Sequence, residues 1–443
     1  MSERRFPTVV FIAPSAYPLG GVADWLDYTM AGLSGRGWTC RLCLVHGSGH
    51  DVDRYLKRHP WKDPMAVFNP TGSREGRIRE LGAAIDGCRA DVVVSVNLVD
   101  VYESVRRGRV RQAGCFPKVV MALHGLESCL LEDIRIHADV IDAVIATNRL
   151  SVAIANASIV GAERVHYAAY GVPSVLSNHS PKLTGSVLRL LYAGRVEQEQ
   201  KRVLDLPLIV QGLQERGFDA RLSVAGVGPL EPQLREAVES SGIGAAVDWL
   251  GDLDAASLAR AYRSHDALLI TSEWETGPIV AWEAMSHGLP VVSSRYVGSG
   301  LEGALVDGET ALLFDVGDID GAVRAVARLH NADLRRSVIA GGHALVSSRY
   351  SREASVSGWD RALTSVMSAP ALPATAPRLS APSGRLDRWV GVVRAEDLRR
   401  LFRIRYVPDS PGSAWPHTGS SSSDQLEFLK RARLLDRQSG SSL

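Results

Sequence analysis

The segment 265–294 constrains the fold more than any other part of the chain, because it reads as a strand, a loop, a helix and a second strand. The apolar run ALLIT has the length of a strand, and Gly277-Pro278 opens the helical part with proline at a position that a first helical turn tolerates. Gly288-Leu-Pro290 then ends the helix before the second apolar run, VVSS. This order of elements is typical of a doubly wound α/β domain.

Two glutamates occupy different settings in this segment. Glu275 lies in the loop before the helix, and Glu283 is expected about two turns inside it. Free backbone N–H groups at the positive end of a helix suit a diphosphate, so a nucleotide site is one interpretation. Ordinary helix capping is the other, because acidic residues are common near helix starts.

The same alternation of strands and helices continues along most of the chain, which at 443 residues exceeds one ordinary core. Residues 174–184 are rich in Ser, Asn, Pro and Thr and read as a linker. The composition changes again near residue 368. We therefore predict two α/β domains, 1–180 and 181–367, followed by a Pro/Ala/Ser-rich linker and basic tail over 368–443.

Charge and cysteine content exclude several classes. The net charge of +1 argues against bulk attraction to nucleic acid, so no nucleic-acid partner is expected. No apolar run approaches the roughly 18 residues of a membrane span, and VVFIA is too short for a signal peptide, so we expect a cytoplasmic protein. Five cysteines fit a reduced compartment, and Cys40-Arg-Leu-Cys43 is interpreted as strand packing rather than a redox or metal pair.

The tail differs from the rest of the chain in composition and charge. APALPATAPRLSAP predicts a linker that does not pack, and from residue 368 onward 12 basic residues face 7 acidic ones, a local charge of +5. Basic residues interleaved with apolar ones suit an amphipathic element that contacts anionic lipid or a partner. A solvated tail, or one that folds back on its own protein, remains the alternative.

The string ETGPIVAWEAMSHGLPVV resembles the Glu-x7-Glu signature of the retaining glycosyltransferases of family 4. It contains both glutamates, the Glu-Ala-Met after the second, and the Gly-x-Pro-Val-Val strand entry. The resemblance implies the GT-B fold, in which two Rossmann-like domains face a cleft. It also implies an acceptor on the first domain, a nucleotide-sugar donor on the second, and a last helix that returns to the first domain.

The resemblance extends to three further places in the chain. The Gly20-Gly21-Val22 loop matches one that approaches the donor phosphates or the acceptor, and His124, at the end of KVVMALHG, matches a histidine that faces the donor sugar. Arg195 and Lys201 match a Gly-Arg…Lys pair that grips the diphosphate. Two fixed cations after a strand end would offset a diphosphate leaving group, although a solvated charged loop is the ordinary interpretation.

These residues receive roles from the resemblance. Glu275 would contact the hydroxyls of the transferred sugar, Glu283 the ribose, and N–H groups near Gly277 and Ile279 the diphosphate, to which Pro278 cannot donate. The candidate catalytic residues are Glu275 and His124, and the candidate donor-binding residues are Gly21, Arg195, Lys201, Gly277, Pro278, Ile279 and Glu283.

We expect no metal and no other cofactor. Asp-x-Asp pairs hold a metal in other sugar transferases, but three-residue matches arise by chance in a chain of this size. They occur here at Asp51/Asp53, Asp252/Asp254 and Asp318/Asp320.

The predicted function is a retaining glycosyltransferase that moves a sugar from a nucleoside diphosphate to an acceptor hydroxyl. The expected acceptor is a cell-surface glycan or lipid-linked glycan, with a small-molecule natural product second. The family's Asn-Gly-Val is replaced by Tyr170-Gly171-Val172, which leaves open a non-catalytic sugar-nucleotide-binding partner subunit. Phosphorolysis or epimerisation at the same site is a third possibility. Gly226-Val-Gly228-Pro lacks the third glycine of a dinucleotide fingerprint, which argues against a Rossmann oxidoreductase.

Overall fold

The computed structural model describes residues 6–15, 21–47, 51–96, 98–112, 116–159, 161–175, 187–406 and 422–438. The chain forms two compact units. The first contains Met1–Thr147, Ser151–Ala168 and Val356–Phe428, and the second contains Asn148–Leu150, Ala169–Ser355 and Leu429–Leu443. Most of the predicted linker 174–184 lies outside the described residues.

The first unit is built on a parallel sheet with the order β3-β2-β1-β4-β5-β6-β7. Its strands are β1 (Thr8–Pro14), β2 (Thr39–Val45), β3 (Met65–Val67), β4 (Val92–Val96), β5 (Lys118–Leu123), β6 (Ala143–Ala146) and β7 (Val165–Tyr167). The helices along this part of the chain are α1 (Gly21–Ser34), α2 (Val52–Arg58), α3 (Arg74–Cys88), α4 (Asp100–Arg111), α5 (Ser128–His137) and α6 (Arg149–Ser158). The strand order reverses between β1 and β4, which is where ligands collect in such sheets.

The second unit repeats the plan with the order β10-β9-β8-β11-β12-β13, again parallel. Its strands are β8 (Val187–Ala193), β9 (Asp219–Ala225), β10 (Val247–Gly251), β11 (Ala267–Ile270), β12 (Val291–Ser294) and β13 (Leu312–Phe314). Its helices are α7 (Asp205–Glu215), α8 (Glu231–Ser240), α9 (Ala255–Ser264), α10 (Ile279–Ser286), α11 (Ser299–Glu302), α12 (Ile319–Ala327) and α13 (Ala332–Arg349). Here the order reverses between β8 and β11.

The central strands explain why the chain folds this way. Every residue of β1, β4 and β11 is buried, as expected for parallel strands that are covered by helices on both faces. Each unit has its own apolar core, built around these strands and the helices that cover them. The prediction of an α/β chain with two Rossmann-like domains is confirmed.

Aspartate side chains fix the starts of three helices. One of them lies in the polar region 46–75, which contains the short elements α2 and β3. The side chain of Asp51 caps α2 by accepting a hydrogen bond from the N–H of Arg54 at 3.0 Å. Asp254 and Asp318 cap α9 and α12 in the same way. Each of the three Asp-x-Asp pairs thus contains a helix N-cap, the ordinary role of aspartate at this position.

The tail differs from the predicted unpacked linker. After α14 (Arg352–Ser368), it contains α15 (Arg385–Val390), α16 (Val392–Phe402) and α17 (Ser422–Gln438). Residues 370–383 have no regular structure, but Thr375 donates to Asp139 at 2.9 Å and the N–H of Arg378 donates to Glu103 at 2.8 Å. This segment therefore packs along the first unit because its polar groups find carboxylates there. Within the described ranges, no helix is both long and apolar enough to cross a membrane.

Candidate active site

Two loops of the second unit meet at the carboxyl ends of β8 and β11, where the strand order reverses. The hydroxyl of Thr271 donates to the carbonyl of Lys201 at 2.7 Å, and the N–H of Glu273 donates to the carbonyl of Gln200 at 2.7 Å. β8 and β11 are neighbours in the sheet, so residues about 70 positions apart in sequence become adjacent. The sheet topology therefore creates the site before any side chain is considered.

Glu275 is held at this edge by three neighbouring side chains. Its carboxylate accepts hydrogen bonds from the Lys201 ammonium at 2.5 Å, the Ser272 hydroxyl at 2.7 Å and the Gln200 amide at 3.3 Å. Its own N–H donates to the carbonyl of Val297 at 3.1 Å. The residue is only 6% exposed, so the ion pair and the two neutral donors balance the cost of burying a charge.

The two predicted cations have different positions. The Lys201 side chain is 18% exposed and directly contacts Glu275. The Arg195 side chain is 69% exposed and donates to the side-chain oxygen (Oε1) of Gln200 at 2.7 Å. Gln200 thus links Arg195 to Glu275, accepting from one and donating to the other. Sequence reasoning missed Gln200 and Ser272, because polar residues in loops carry no signal of their own.

Helix α10 starts later than the sequence suggested. Gly277 has a positive φ of 139° and Pro278 is the N-cap, so Ile279 is the first helical residue. Glu283 therefore lies about one turn into the helix, which corrects the expected two turns. The first intrahelical hydrogen bonds run from the N–H groups of Ala281 and Trp282 to the Pro278 carbonyl. The N–H groups of Ile279 and Val280 come before them, and such groups point out of the N-terminal end of a helix, where a ligand can accept from them.

Glu283 is held from a neighbouring helix. The hydroxyl of Tyr262, on α9, donates to its carboxylate at 2.8 Å. Burial raises the pKa of Tyr262 well above its usual value, and the charge of Glu283 raises it further, so the phenol remains a hydrogen-bond donor. Sequence reasoning did not identify Tyr262, because only the packing of α9 against α10 brings the two residues together.

Glycines allow the loops around the site to approach closely. A Cβ at Gly277 would lie 2.8 Å from the ring of Tyr170, which is 4% exposed and packs against the turn before α10. A Cβ at Gly226 would lie 1.9 Å from the Gly194 carbonyl, and one at Gly228 would lie 2.3 Å from the Val196 carbonyl. The Gly-x-Gly-Pro turn therefore packs its backbone against the loop that carries Arg195.

The tail helix α17 contacts the same region of the second unit. The Asp436 carboxylate, 5% exposed, accepts hydrogen bonds from the N–H groups of Gly298, Gly300 and Leu301 at 2.7–3.1 Å. Arg433 forms an ion pair with Glu273. Gly298 itself lies against the backbone of Glu275, since a Cβ there would be 2.3 Å from the Glu275 carbonyl. The sequence had not indicated any contact between the tail and the loops around Glu275.

In the first unit, His124 follows β5 and is 7% exposed. Its ring lies 4.3 Å from the ring of Trp25 on α1, between centroids. Burial lowers the pKa of His124 to about 3, so the imidazole is neutral at physiological pH and can either donate or accept a hydrogen bond. Gly21 is the first residue of α1, and the rest of the predicted glycine loop, 16–20, lies outside the described residues.

Other titratable groups lie apart from these side chains. Among the described residues, Asp24, Asp27 and His59 form one group close enough to share a cation, with His59 Nδ1 2.7 Å from the Asp27 carboxylate. Burial raises the pKa of Cys40 to about 11 and that of Cys43 further, so both β2 thiols stay protonated. A cavity of about 480 Å³ in the second unit contains none of the predicted site residues. It is lined by Val187, Arg189, Arg221, Ser223, Asp248, Ser264 and His265.

Comparison with known proteins agrees with this geometry. A family model described as "Glycosyl transferases group 1" matches residues 187–332, the part of the chain that carries Arg195, Lys201, Glu275 and Glu283. The sulfoquinovosyl transferase SQD2 of Arabidopsis thaliana is 29% identical over 153 residues, which cover 34% of this chain and 28% of that protein. The chain thus aligns with less than a third of this curated relative's length.

Solved structures match over most of the chain. The apo form of the lipopolysaccharide outer core galactosyltransferase WaaB has a TM-score of 0.63 at 20% identity, covering 81% of this chain and 99% of that one. HepE of Anabaena in complex with UDP-glucose has a TM-score of 0.62 at 15% identity, covering 82% and 100%. The chain has the GT-B fold. At these identities the likeness establishes the fold alone.

Proposed function

We propose that the protein is a retaining glycosyltransferase of the family 4 type, which transfers a sugar from a nucleoside-diphosphate sugar to an acceptor hydroxyl. The observation that carries the proposal is the Lys201–Glu275 pair, buried at the point where the strand order of the second unit reverses. Lys201 is a cation that can bind a diphosphate, and Glu275, in contact with it, is a carboxylate that can accept hydrogen bonds from sugar hydroxyls. The match of residues 187–332 to a glycosyltransferase family model supports the same assignment.

The two groups have complementary tasks in this mechanism. Lys201, together with Arg195 and the amides at the start of α10, would bind the diphosphate and offset its negative charge as the glycosidic bond breaks. Glu275 holds the Lys201 ammonium at this edge through their ion pair, and its carboxylate accepts hydrogen bonds from the transferred sugar. The acceptor oxygen attacks from the face that the diphosphate leaves, which retains the anomeric configuration.

The nucleoside is proposed to lie along α10, with its ribose hydroxyls donating to Glu283. Because Tyr262 already fixes one oxygen of this carboxylate, the position offered to the ribose is defined before the donor arrives. His124, a neutral imidazole, would hydrogen-bond substrate from the first unit without adding charge. Since Lys201 and Arg195 supply the positive charge, no metal is required, and transfer should continue in the presence of EDTA.

We infer a cell-surface glycan or lipid-linked glycan as the acceptor. The support is the fold shared with a lipopolysaccharide outer core galactosyltransferase and the sequence similarity to a sulfoquinovosyl transferase. A small-molecule acceptor is the second candidate. A panel of radiolabelled donor sugars, assayed with lipid extracts and with soluble acceptors, would distinguish the two.

The first experiment is a thermal-shift assay with UDP, GDP, ADP and their sugars. A ligand that binds only the folded protein raises the melting temperature by mass action, by the equivalent of about 2.7 kcal/mol at 100 times its Kd. We expect one nucleotide to give a clear shift that is lost in Lys201→Ala and kept in Arg336→Ala. Arg336, on α13 of the same unit, is an exposed cation away from the site and serves as the matched control.

Two outcomes would redirect the proposal. A melting temperature unmoved by every nucleotide would overturn a donor site at Glu275, and with it every alternative that binds a sugar nucleotide there. Product formation that requires free phosphate, or that occurs without an acceptor, would instead indicate phosphorolysis or epimerisation. Slow hydrolysis of the donor would count against a non-catalytic subunit, because it shows that the glycosidic bond is activated.

A further inference from the structure

In the part of the tail from residue 385 to residue 406, two of the three carboxylates are buried, and the third, which is 60% exposed, forms an ion pair. Asp387, whose side chain is 1% exposed, is bound by Arg399 at 2.5 Å. Glu396 is fully buried and accepts hydrogen bonds from the hydroxyls of Thr71 and Ser73 and from Arg400. The remaining one, Asp397, pairs with Arg79 of α3 at 2.6 Å. The negative charge of this segment is therefore used in holding α15 and α16 to the first unit.

The arginines of the same segment divide into two groups. Arg399 and Arg400 take part in the ion pairs with Asp387, Glu396 and Glu80. The other five are exposed, and nothing in the described part of the chain forms an ion pair with them. They are Arg385, Arg388, Arg394, Arg403 and Arg405.

Large apolar side chains are exposed among these arginines. Trp389 is 85% exposed, Leu401 73%, Phe402 66% and Ile404 49%. Along α16 the buried residues Val392, Ala395, Glu396 and Arg399 follow helical spacing and form one face, so Arg394 and Leu401 fall on the opposite face. Single exposed apolar residues are ordinary, but several within one short segment that also carries five cations without ion pairs are not.

We propose that these five arginines and four apolar residues form a surface that docks on an anionic lipid bilayer. We call it the basic–apolar surface. Arginines attract the negative headgroups, while tryptophan, phenylalanine and leucine enter the boundary between headgroups and acyl chains. Nucleic acid would match the charge and could stack on the aromatic rings, but it would leave Leu401 and Ile404 in water. An anionic bilayer offers partners to both the arginines and the apolar side chains.

The inference goes beyond the proposed transferase activity and does not depend on it. It also locates the membrane contact that the tail composition suggested. The helix α17 is not part of the surface, because Leu429, Ala432 and Asp436 are buried against the protein. If the acceptor is lipid-linked, the same surface would bring the enzyme to the membrane where that acceptor resides.

The test is co-sedimentation of the full chain with vesicles of phosphatidylcholine alone or mixed with phosphatidylglycerol. We expect binding to the anionic vesicles to exceed binding to the neutral ones about tenfold or more, and to weaken with salt, since the screening length is about 10 Å at 0.1 M. The double variant Arg388→Glu/Arg403→Glu and the single variant Trp389→Ala should each lose at least about tenfold in binding. All three residues are exposed, so the variants should melt like the wild type.

Matched controls separate this surface from general charge and hydrophobicity. Arg336→Glu and Leu208→Ser remove an exposed cation and an exposed leucine of the second unit, and should bind vesicles normally. Trp389→Phe, which keeps an aromatic ring, should restore most of the binding that Trp389→Ala loses.

Several results would overturn the proposal. Equal affinity for neutral and anionic vesicles, or unchanged binding in both surface variants, would exclude this surface. A gel shift with single-stranded RNA that the arginine reversals abolish, without vesicle binding, would assign it to nucleic acid. A dimer in analytical ultracentrifugation that Trp389→Ala dissociates would assign it to a second copy of the chain. Because no donor or acceptor is used, failure here is distinguishable from failure of the transferase proposal.

Discussion

Replacing Glu275 by glutamine separates what this carboxylate does for the fold from what it does for the reaction. The variant keeps the shape of the side chain but removes the charge that faces Lys201 at 2.5 Å. The side-chain oxygen of glutamine can still accept hydrogen bonds from Lys201 and Ser272. Its NH2 group would then face the NH2 group of Gln200, so the hydrogen bond from Gln200 is lost. Hydrogen bonds to charged groups contribute about 1.5–3 kcal/mol, and breaking a fully buried ion pair costs about 3–5 kcal/mol.

The exposure of Lys201 sets the expected loss of stability. Its side chain is 18% exposed, so the ammonium can recover part of its hydration once the carboxylate is gone. We therefore expect Glu275→Gln to lower the free energy of unfolding by about 1–3 kcal/mol. Turnover should fall far more, by about 10²–10³-fold, because the carboxylate that positions the transferred sugar and Lys201 is lost. The decrease in the free energy of unfolding and the decrease in turnover can thus be measured independently.

Urea unfolding and the release of nucleoside diphosphate are the two assays. Glu273→Gln is the matched control, because Glu273 lies two residues away and pairs with Arg202 and Arg433 rather than Lys201. A double-mutant cycle with Lys201→Met should show a coupling of about 0.5–3 kcal/mol in stability, as contacting residues do. A folded Glu275→Gln protein that turns over within about threefold of the wild type, less than about 1 kcal/mol in activation free energy, would refute the assigned role.

Three further predictions concern other parts of the structure. Tyr262→Phe removes the donor to Glu283 and should weaken nucleotide binding about tenfold or more by titration calorimetry, with unchanged affinity indicating that Glu283 does not contact the ribose. Burial lowers the pKa of His124 to about 3, whereas a histidine in the unfolded chain titrates at about pH 6.5. As the pH falls, the unfolded chain therefore binds this proton first, and the free energy of unfolding decreases between about pH 6.5 and about pH 3. His124→Asn should reduce this pH slope of stability by up to about 1.4 kcal/mol per pH unit. Asp436→Asn leaves three backbone N–H groups with a weaker acceptor and should lower the free energy of unfolding in urea by about 1–2 kcal/mol. Hydrogen exchange at Gly298, Gly300 and Leu301 should become faster, and unchanged exchange there would contradict the hydrogen bonds to Asp436.

The fold was predictable because its strongest signals are local. Strands such as β1 and β11 are apolar along their whole length, and glycine and proline mark the ends of the elements between them. Where a helix start depends on one side chain, the sequence signal is weak: Asp51 and Asp254, which belong to Asp-x-Asp matches that arise by chance, cap α2 and α9. A three-letter pattern does not distinguish a cap from a ligand, since both use the same carboxylate oxygens.

The candidate site was predictable only residue by residue. The sequence placed Lys201 and Glu275 each after a strand end, but the contact between them follows from β8 and β11 being neighbours in the sheet. Gln200 and Tyr262 were not identified for the same reason, because their partners lie on other loops or helices. The different character of the proline-rich part, the basic stretch and the last helix of the tail was legible in the sequence, but their contacts were not, because their partners lie elsewhere in the chain.

The departure at Tyr170 bears on whether the donor loop can work. The family pattern has asparagine there, and its replacement left open a subunit that binds donor without reacting. In the structure the Tyr170 ring is buried and packs against Gly277, the residue whose positive φ turns the chain into α10. Tyrosine at this position therefore supports the turn that presents the amides of Ile279 and Val280. Because Glu275 and Lys201 are bound by other residues, the substitution removes none of their partners, so it does not favour the non-catalytic alternative.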